Sequence, residues 1–368
     1  MKKIPDPDYI YKNWRRAAVL TPLMSVGNTN RNVKNISELY KQAALSDALI
    51  AVTPELALTS YSLADAFGFA HIWNDVQTGL ATLAESTKKH NTVLVVGTPI
   101  EHRDNLYNCA VVISKGEIRG VVPKQHLANY SEFYEKRWFN SGAGITDSAI
   151  SINDETVPFG VDLLFSAGDV VFGAEICEDL WVADPPSRKL TQAGAHIVVN
   201  LSSSTEIVGK SAVRRALVSQ TADRLMCGYV YASSDASEST ADFIMSGHAL
   251  ISEFDWILAE RKPLSLDERV LIADFDITHI KQERRKNQSW QSDNTSTYRI
   301  IDTATQQVQP AIPIRTVDPH PFTPSDENER QEVANHILNL QAHGLKKRLS
   351  HIGSSGKYPK IVLGLSGG

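Results

Sequence analysis

Apolar residues along this chain recur with two alternating periods. Residues 17–20 form a continuous apolar run, as a buried strand does. Val33, Ile36, Leu39, Tyr40 and Ala43 then fall at helical spacing behind Asn28 to Asn30, which serve as caps. The run Leu49-Ile-Ala-Val-Thr-Pro-Glu55 reads as the next strand, and Ile72, Val76, Leu80 and Leu83 mark a second helix. Residues 92–97, 109–113 and 118–122 read as strands, as does the run from Val170 toward Cys177. Pro185-Pro186 opens a short helix, residues 197–201 form a strand, and residues 213–226 form a helix with Leu217 and Leu225 inward. Residues 229–232 and 248–251 complete the strands. This alternation predicts an α/β protein with helices packed on sheets.

The pattern changes after about residue 270. Residues 1–275 read as one large domain and 276–324 as a connecting segment. Five prolines between Gln309 and Pro324 make its last part extended. A helix capped by Ser325 follows, with Val333, Ile337, Leu340 and Leu345 as its apolar stripe. Past Pro359 an apolar run leads into Ser366, Gly367 and Gly368, a turn whose backbone N–H groups would cradle phosphate.

Charge and cysteine usage narrow the function. With 37 Lys and Arg against 42 Asp and Glu, the net charge of −5 gives no reason to expect nucleic acid or an anionic membrane as partner. No apolar run approaches the ~18 residues needed to cross a bilayer, and Met1-Lys-Lys-Ile-Pro-Asp-Pro-Asp lacks the core of a secretory signal. Cys109, Cys177 and Cys227 form neither a disulfide framework nor a metal-ligand spacing. These features point to a reducing, cytoplasmic setting.

Candidate chemistry lies at the ends of three apolar runs. The first ends in Glu55, Ile118-Arg-Gly-Val-Val-Pro-Lys124 ends in an amine, and Val170-Val-Phe-Gly-Ala-Glu-Ile-Cys177 delivers a thiol. Ligand sites of α/β sheets lie outside the carboxyl ends of strands, so three such side chains can converge. Glu178 and Asp179 should raise the thiol pKa, so Cys177 needs a base and a cation from elsewhere. Taken singly, Cys177 reads as a core cysteine, Lys124 as a solvated lysine and Glu55 as a capping acid. Only the constellation overturns those readings. Cys109 and Cys227 keep theirs as small core hydrophobes.

The Glu, Lys, Cys order resembles the nitrilase superfamily. The motifs Thr53-Pro-Glu-Leu-Ala-Leu-Thr-Ser-Tyr61, Lys124-Gln-His-Leu-Ala-Asn-Tyr130 through Phe139, and Glu175-Ile-Cys-Glu-Asp-Leu-Trp181 are similar to those of glutaminase domains in the glutamine-dependent NAD synthetase family. The resemblance implies a four-layer αββα sandwich, followed by a linker and the start of an α/β ATP-pyrophosphatase domain, with Ser366-Gly-Gly368 opening its nucleotide loop. It also implies that Cys177 attacks the amide of glutamine and that Glu55 shuttles protons. Lys124 and the Glu178 backbone N–H would hold the oxyanion, and Glu135 would be an additional acid beside Lys124. Tyr61, Tyr130, Phe133, Glu178 and Ser204 would line the glutamine pocket, with Lys210 where the family usually has arginine, losing the bidentate fork.

No cofactor or metal is expected for hydrolysis. ATP and Mg2+ belong to the synthetase domain, which would be a partner within the full-length chain, and a homo-oligomer is implied. A stand-alone amidase or carbamoylase acting on another small amide, and a silent regulatory module, are the rival readings.

Overall fold

The computed structural model describes residues 11–364, apart from 267, 294–296, 307, 308, 318, 319, 354, 355, 357–359 and 363. Ser366, Gly367 and Gly368 thus lie outside the described residues. Residues up to Arg315 form one compact unit and Thr316 onward a second.

Two sheets dominate the first unit. In chain order, one contains β1 (Trp14–Leu20), β2 (Ala48–Val52), β3 (Val93–His102), β4 (Asn105–Ser114), β5 (Glu117–Pro123), β6 (Ser148–Ile152), β7 (Glu155–Phe159) and β14 (Val270–Asp276). The other contains β8 (Leu163–Ala167), β9 (Val170–Ile176), β10 (Ile197–Ser202), β11 (Gly228–Ser233), β12 (Ala249–Glu253), β13 (Trp256–Arg261) and β15 (Arg299–Asp302). Their strand orders are β14-β1-β2-β3-β4-β5-β7-β6 and β13-β12-β11-β10-β9-β8-β15.

The period of two along each strand builds the layers. Ala17 and Val19 of β1 join Val52, Val95 and Val112 in a core shared with Phe165, Phe172, Ile176, Val199 and Val230 of the facing sheet. The opposite faces, Ala18 and Leu20 with Val96 and Val111, pack on α1 (Thr29–Leu45) and α2 (Ala70–Thr87) through Ile36, Tyr40, Val76 and Leu80. On the far side, Leu164, Val198, Tyr229 and Leu250 pack on α3 (Pro186–Gln192) and α4 (Lys210–Arg224). The result is an αββα sandwich. Both sheets are covered on two faces, which is why their central strands read as unbroken apolar runs. Asn28 caps α1 as expected, its side chain accepting from the Arg31 N–H at 3.1 Å.

Three local readings change. Helix α4 buries Arg214, Val218, Thr221 and Ala222, whereas Val213 is exposed and Leu217 only half-buried. The inward face is the one read from Leu217 and Leu225, which pack on the core, but the helix begins at Lys210, so this face also carries Arg214, bonded to Glu206, Ser204, Thr205 and His248. The segment 276–324 is not all connector. Its first part forms α5 (Ile277–Lys286), which buries Ile277 and Ile280 in the core between the sheets, and β15, which extends the second sheet beside β8. The first unit therefore reaches Arg315 rather than 275. In the second unit, α6 (Glu327–Ile352) is capped by Asp326 rather than Ser325, its side chain accepting from the Glu329 N–H at 2.9 Å. None of its described residues is buried.

Candidate active site

Strand directions bring the three chemical groups together. β2 and β3 run parallel, and two antiparallel steps through β4 restore that direction in β5. The carboxyl ends of β2 and β5 therefore share one edge, with Glu55 three residues past β2 and Lys124 directly after β5. β9 and β10 are parallel neighbours in the facing sheet. The Glu55 N–H donates to the Ser202 carbonyl of β10 at 3.3 Å, which ties the two edges to each other.

Glu55 and Lys124 are buried and joined directly. Lys124 Nζ donates to Glu55 Oε1 at 2.6 Å and to Glu135 Oε1 at 2.7 Å. Asn108 of β4 donates to the same Glu55 oxygen at 2.7 Å. Both Oε2 atoms, of Glu55 and of Glu135, are buried and meet no protein donor among the described residues. Burial opposes charge on Lys124, but Glu135 and Glu55 outweigh it and hold the ammonium well above its ordinary range. Burial pushes the Glu135 carboxyl up while Lys124 pulls it down, and the burial effect prevails.

Cys177 opens the turn Cys177–Leu180 with φ of 48°, the left-handed region that costs a non-glycine residue about 1–2 kcal/mol. Its neighbours hold that elbow in place. Asp179 accepts from the Ile176 N–H at 3.0 Å with one oxygen and from the His126 N–H at 2.8 Å with the other. Burial, then Glu55, raises the thiol well above its usual value, with Glu135 adding; Lys124 and the Ser203 backbone N–H act the other way. Cys177 is thereby favoured as the thiol, and acting as a nucleophile would require a base to take its proton. The Glu178 N–H lies in the first turn, where no preceding helical carbonyl can take it.

The remaining expected site residues fall around this centre. Tyr61 is buried, and its hydroxyl donates to Glu135 Oε1 at 2.8 Å. Phe133 lies edge-on to both Tyr61 and Tyr130, and the exposed Tyr130 donates to Glu178 Oε2 at 2.9 Å. Ser204 is buried and accepts from Arg214 at 3.1 Å. Lys210 lies 5.6 Å from the centre of the Phe133 ring and donates to Thr205 at 2.9 Å. Burial and Arg214 lower its pKa.

Asn108, Arg214 and Glu238 went unread in the sequence. Asn108 has one visible signal, a polar residue interrupting the apolar run that continues through Cys109. Gly97 supports the site by having no side chain. A Cβ there would lie 2.4 Å from the Pro54 carbonyl oxygen and 2.5 Å from the Leu56 nitrogen, so the Glu55 loop packs directly on β3.

Residues 16–285 match the carbon-nitrogen hydrolase family. The chain belongs to that family. It is 35% identical over 363 residues to a glutamine-dependent NAD(+) synthetase of Mycobacterium tuberculosis, a match covering 96% of this chain and 53% of that protein. The chain thus spans about half the length of the curated relatives it matches. A solved glutamine-dependent NAD(+) synthetase from Cytophaga hutchinsonii superposes with a TM-score of 0.63 at 29% identity, covering 72% of this chain and 43% of that one. An amidase from Nesterenkonia sp. shares the fold alone, at 16% identity and a TM-score of 0.58, over 74% of this chain and 94% of the amidase. Glu55, Lys124, Glu135 and Cys177 all lie within the carbon-nitrogen hydrolase region.

Proposed function

We propose that this chain hydrolyses L-glutamine to glutamate and ammonia through a thioester on Cys177. The observation that carries the reading is the convergence of Glu55, Lys124 and the strained Cys177 at one edge of the two sheets. Glu55 takes the thiol proton as sulfur attacks the amide carbon. Lys124 and the Glu178 N–H hold the oxyanion, and Glu55 passes the proton to the departing nitrogen. Water then attacks the thioester, giving its proton to Glu55, and the proton returns to sulfur as glutamate leaves. Glu135, with Tyr61 behind it, keeps Lys124 in place. Glu178, Tyr130, Phe133, Ser204 and Lys210 provide the acceptors, donors and apolar wall that a glutamine's charged end and methylenes need.

In the longer proteins represented by the relatives, the ammonia would feed an ATP-dependent amidation of nicotinic acid adenine dinucleotide to NAD. ATP and Mg2+ belong to that second reaction. A homo-oligomer and a cytoplasmic setting go with this reading. No helix among the described residues is long and apolar enough to cross a membrane, and no described group of His, Cys, Asp or Glu could hold a metal ion.

The test is ammonia release from glutamine by this chain beside Cys177→Ala, with a glutamine-mimicking electrophile used to tag the thiol. Release that vanishes in Cys177→Ala, with the tag mapped to Cys177, is the expected result. Turnover persisting without the thiol would end the assignment, and hydrolysis of other small amides in preference to glutamine would move it to a general amidase.

A further inference from the structure

A further buried carboxyl group, Glu238, is linked through Tyr61 to Glu135 and Lys124. After β11 the chain runs through a Ser-rich segment in which Asp235 caps the short turn Ala236–Glu238, its side chain accepting from the Ser237 N–H at 3.0 Å. The segment is fastened to the residues after β10, with the Glu206 N–H donating to the Ile244 carbonyl at 2.8 Å and Thr205 bridged to Met245. Glu238 is completely buried there, an expensive position for a carboxyl group.

What it touches explains the position. Glu238 Oε2 accepts from the Tyr61 N–H at 2.6 Å and the Ser62 N–H at 3.4 Å, the first donors of the turn Tyr61–Gly68. A turn start leaves such donors without intrahelical partners, and a carboxylate suits them. The Ser62 hydroxyl in turn donates to the Glu238 carbonyl, so the two segments grip each other. Just before the turn, Ser60 sits at φ of 76°, a left-handed backbone that needs outside support. Tyr61 is thereby fixed at its backbone. Its ring carries the hydroxyl that donates to Glu135, and Glu135 accepts Lys124, which donates to Glu55.

We propose that Glu238 is a positioning residue for hydrolysis, setting the Tyr61 hydroxyl so that Glu135 keeps Lys124 aimed at the reacting carbonyl. It touches neither substrate nor Cys177 and acts through four linked groups: Tyr61, Glu135, Lys124 and Glu55. This inference rests on the hydrolytic reading of the site, but its test includes a readout that needs no knowledge of the substrate.

Glu238→Ala, Glu238→Gln, Ser62→Ala, Tyr61→Phe and the Glu238→Ala/Tyr61→Phe double variant are compared in this chain. Glutamine kinetics and the rate of Cys177 alkylation by iodoacetamide, mapped by mass spectrometry, are measured for each. Glu238→Ala is expected to lower kcat about tenfold and change KM less than about twofold, because misplacing an oxyanion donor affects the transition state more than binding. The alkylation rate should change with it. Glu238→Gln should recover most of the rate, since its amide oxygen still accepts the Tyr61 N–H. Ser62→Ala should show a smaller loss of the same kind and serves if Glu238→Ala does not fold. The double variant should be no worse than Tyr61→Phe alone, as groups in one chain are not additive.

Wild-type kcat and alkylation in folded Glu238→Ala would overturn the proposal, as would additive losses in the double variant or no recovery in Glu238→Gln. A wild-type chain that hydrolyses no glutamine, yet shows the Glu238-dependent alkylation pattern, would overturn the substrate assignment and leave the positioning role standing.

Discussion

Both ends of the sandwich bury ion pairs, and they are built on opposite plans. At the amino end of β1, the Arg16 fork meets Asp274 at 2.8 and 3.1 Å, and Arg315 meets Glu253 at 2.7 and 2.8 Å. Backbone donors take up the remaining valence, Ile314 N–H on Asp274 and Asp276 N–H on Glu253. Every carboxylate oxygen there has a donor, and the Glu253 pKa is lowered although burial alone would raise it. At the carboxyl ends of β2 and β5, one lysine is shared by two carboxylates, and each keeps one buried oxygen without a protein donor. Burial raises Glu135 despite Lys124. Fully bonded pairs fasten the fold, whereas a site that must move protons leaves acceptors open.

Removing the shared cation should separate the two plans most sharply. Lys124→Met leaves Glu55 and Glu135 facing each other in a buried site, which should cost about 3–5 kcal/mol at neutral pH and nearly all turnover. Without the ammonium nothing offsets the burial and the Glu55 charge that raise Glu135, so the variant should regain stability as pH falls and Glu135 protonates. Chemical denaturation at pH 5 and pH 8 measures this. A deficit equal at both values would mean the carboxylates are paired by other groups.

Gly97→Ala attacks the same site sterically. A Cβ there must push back Pro54 and Leu56, whose backbone atoms lie 2.4 and 2.5 Å from it, and Glu55 moves with them. A shift of a few tenths of an ångström to ~1 Å should lower kcat about 10- to 100-fold. A variant with unchanged kcat would show that the Glu55 loop tolerates displacement.

The opposite end should respond in the opposite way. Arg16→Ala leaves Asp274 buried beside only the Ile314 N–H and should cost about 3 kcal/mol, while kcat of the folded variant stays at the wild-type value. The residues it disturbs, Asp274, Ser46 and Ile312, lie around the amino end of β1, whereas Cys177 follows the carboxyl end of β9 in the facing sheet. A fall in kcat measured well below the melting temperature would mean that the two ends are mechanically coupled.

The same contrast explains what the sequence made legible. Glu55, Lys124 and Cys177 stand out because each ends an apolar run, and strand ends of such sheets are where chemistry collects. Asn108 was hidden inside a strand beside Cys109. Glu238 was hidden differently, in a segment of Ser, Asp and Thr where an acid reads as solvated, and its bonds to the Tyr61 turn join residues 177 positions apart. Arg214 lay one turn before Leu217 on the face read as inward, but a charged side chain ahead of an apolar stripe reads as solvated, because no local signal announces the Glu206, Ser204 and His248 partners. Strands β6, β7, β13 and β15 are short or half-exposed and lack an unbroken apolar run. Their pairing is decided by the neighbouring strand rather than by their own composition.

Glu175 tests the comparison most finely, because it follows neither plan. Two residues before Cys177, it is fully buried, accepts the Tyr229 hydroxyl with one oxygen and takes the Ser187 N–H with the other at 2.7 Å. It therefore has the filled valence of a structural group but no cation. Burial accordingly pushes its pKa from 4.5 to about 7. The folded state holds this proton more tightly than the unfolded chain, so the stabilisation is complete below about 4.5 and is lost as pH rises through about 7. Glu175→Gln, neutral throughout, should remove that decline and flatten the melting temperature between pH 5 and pH 8, with little change in kcat. If the decline persists in Glu175→Gln, it belongs to Glu135 or Glu238, the other buried carboxyls raised in the same way, and the tuning of acidity by burial is then confined to the residues around Lys124 and Tyr61.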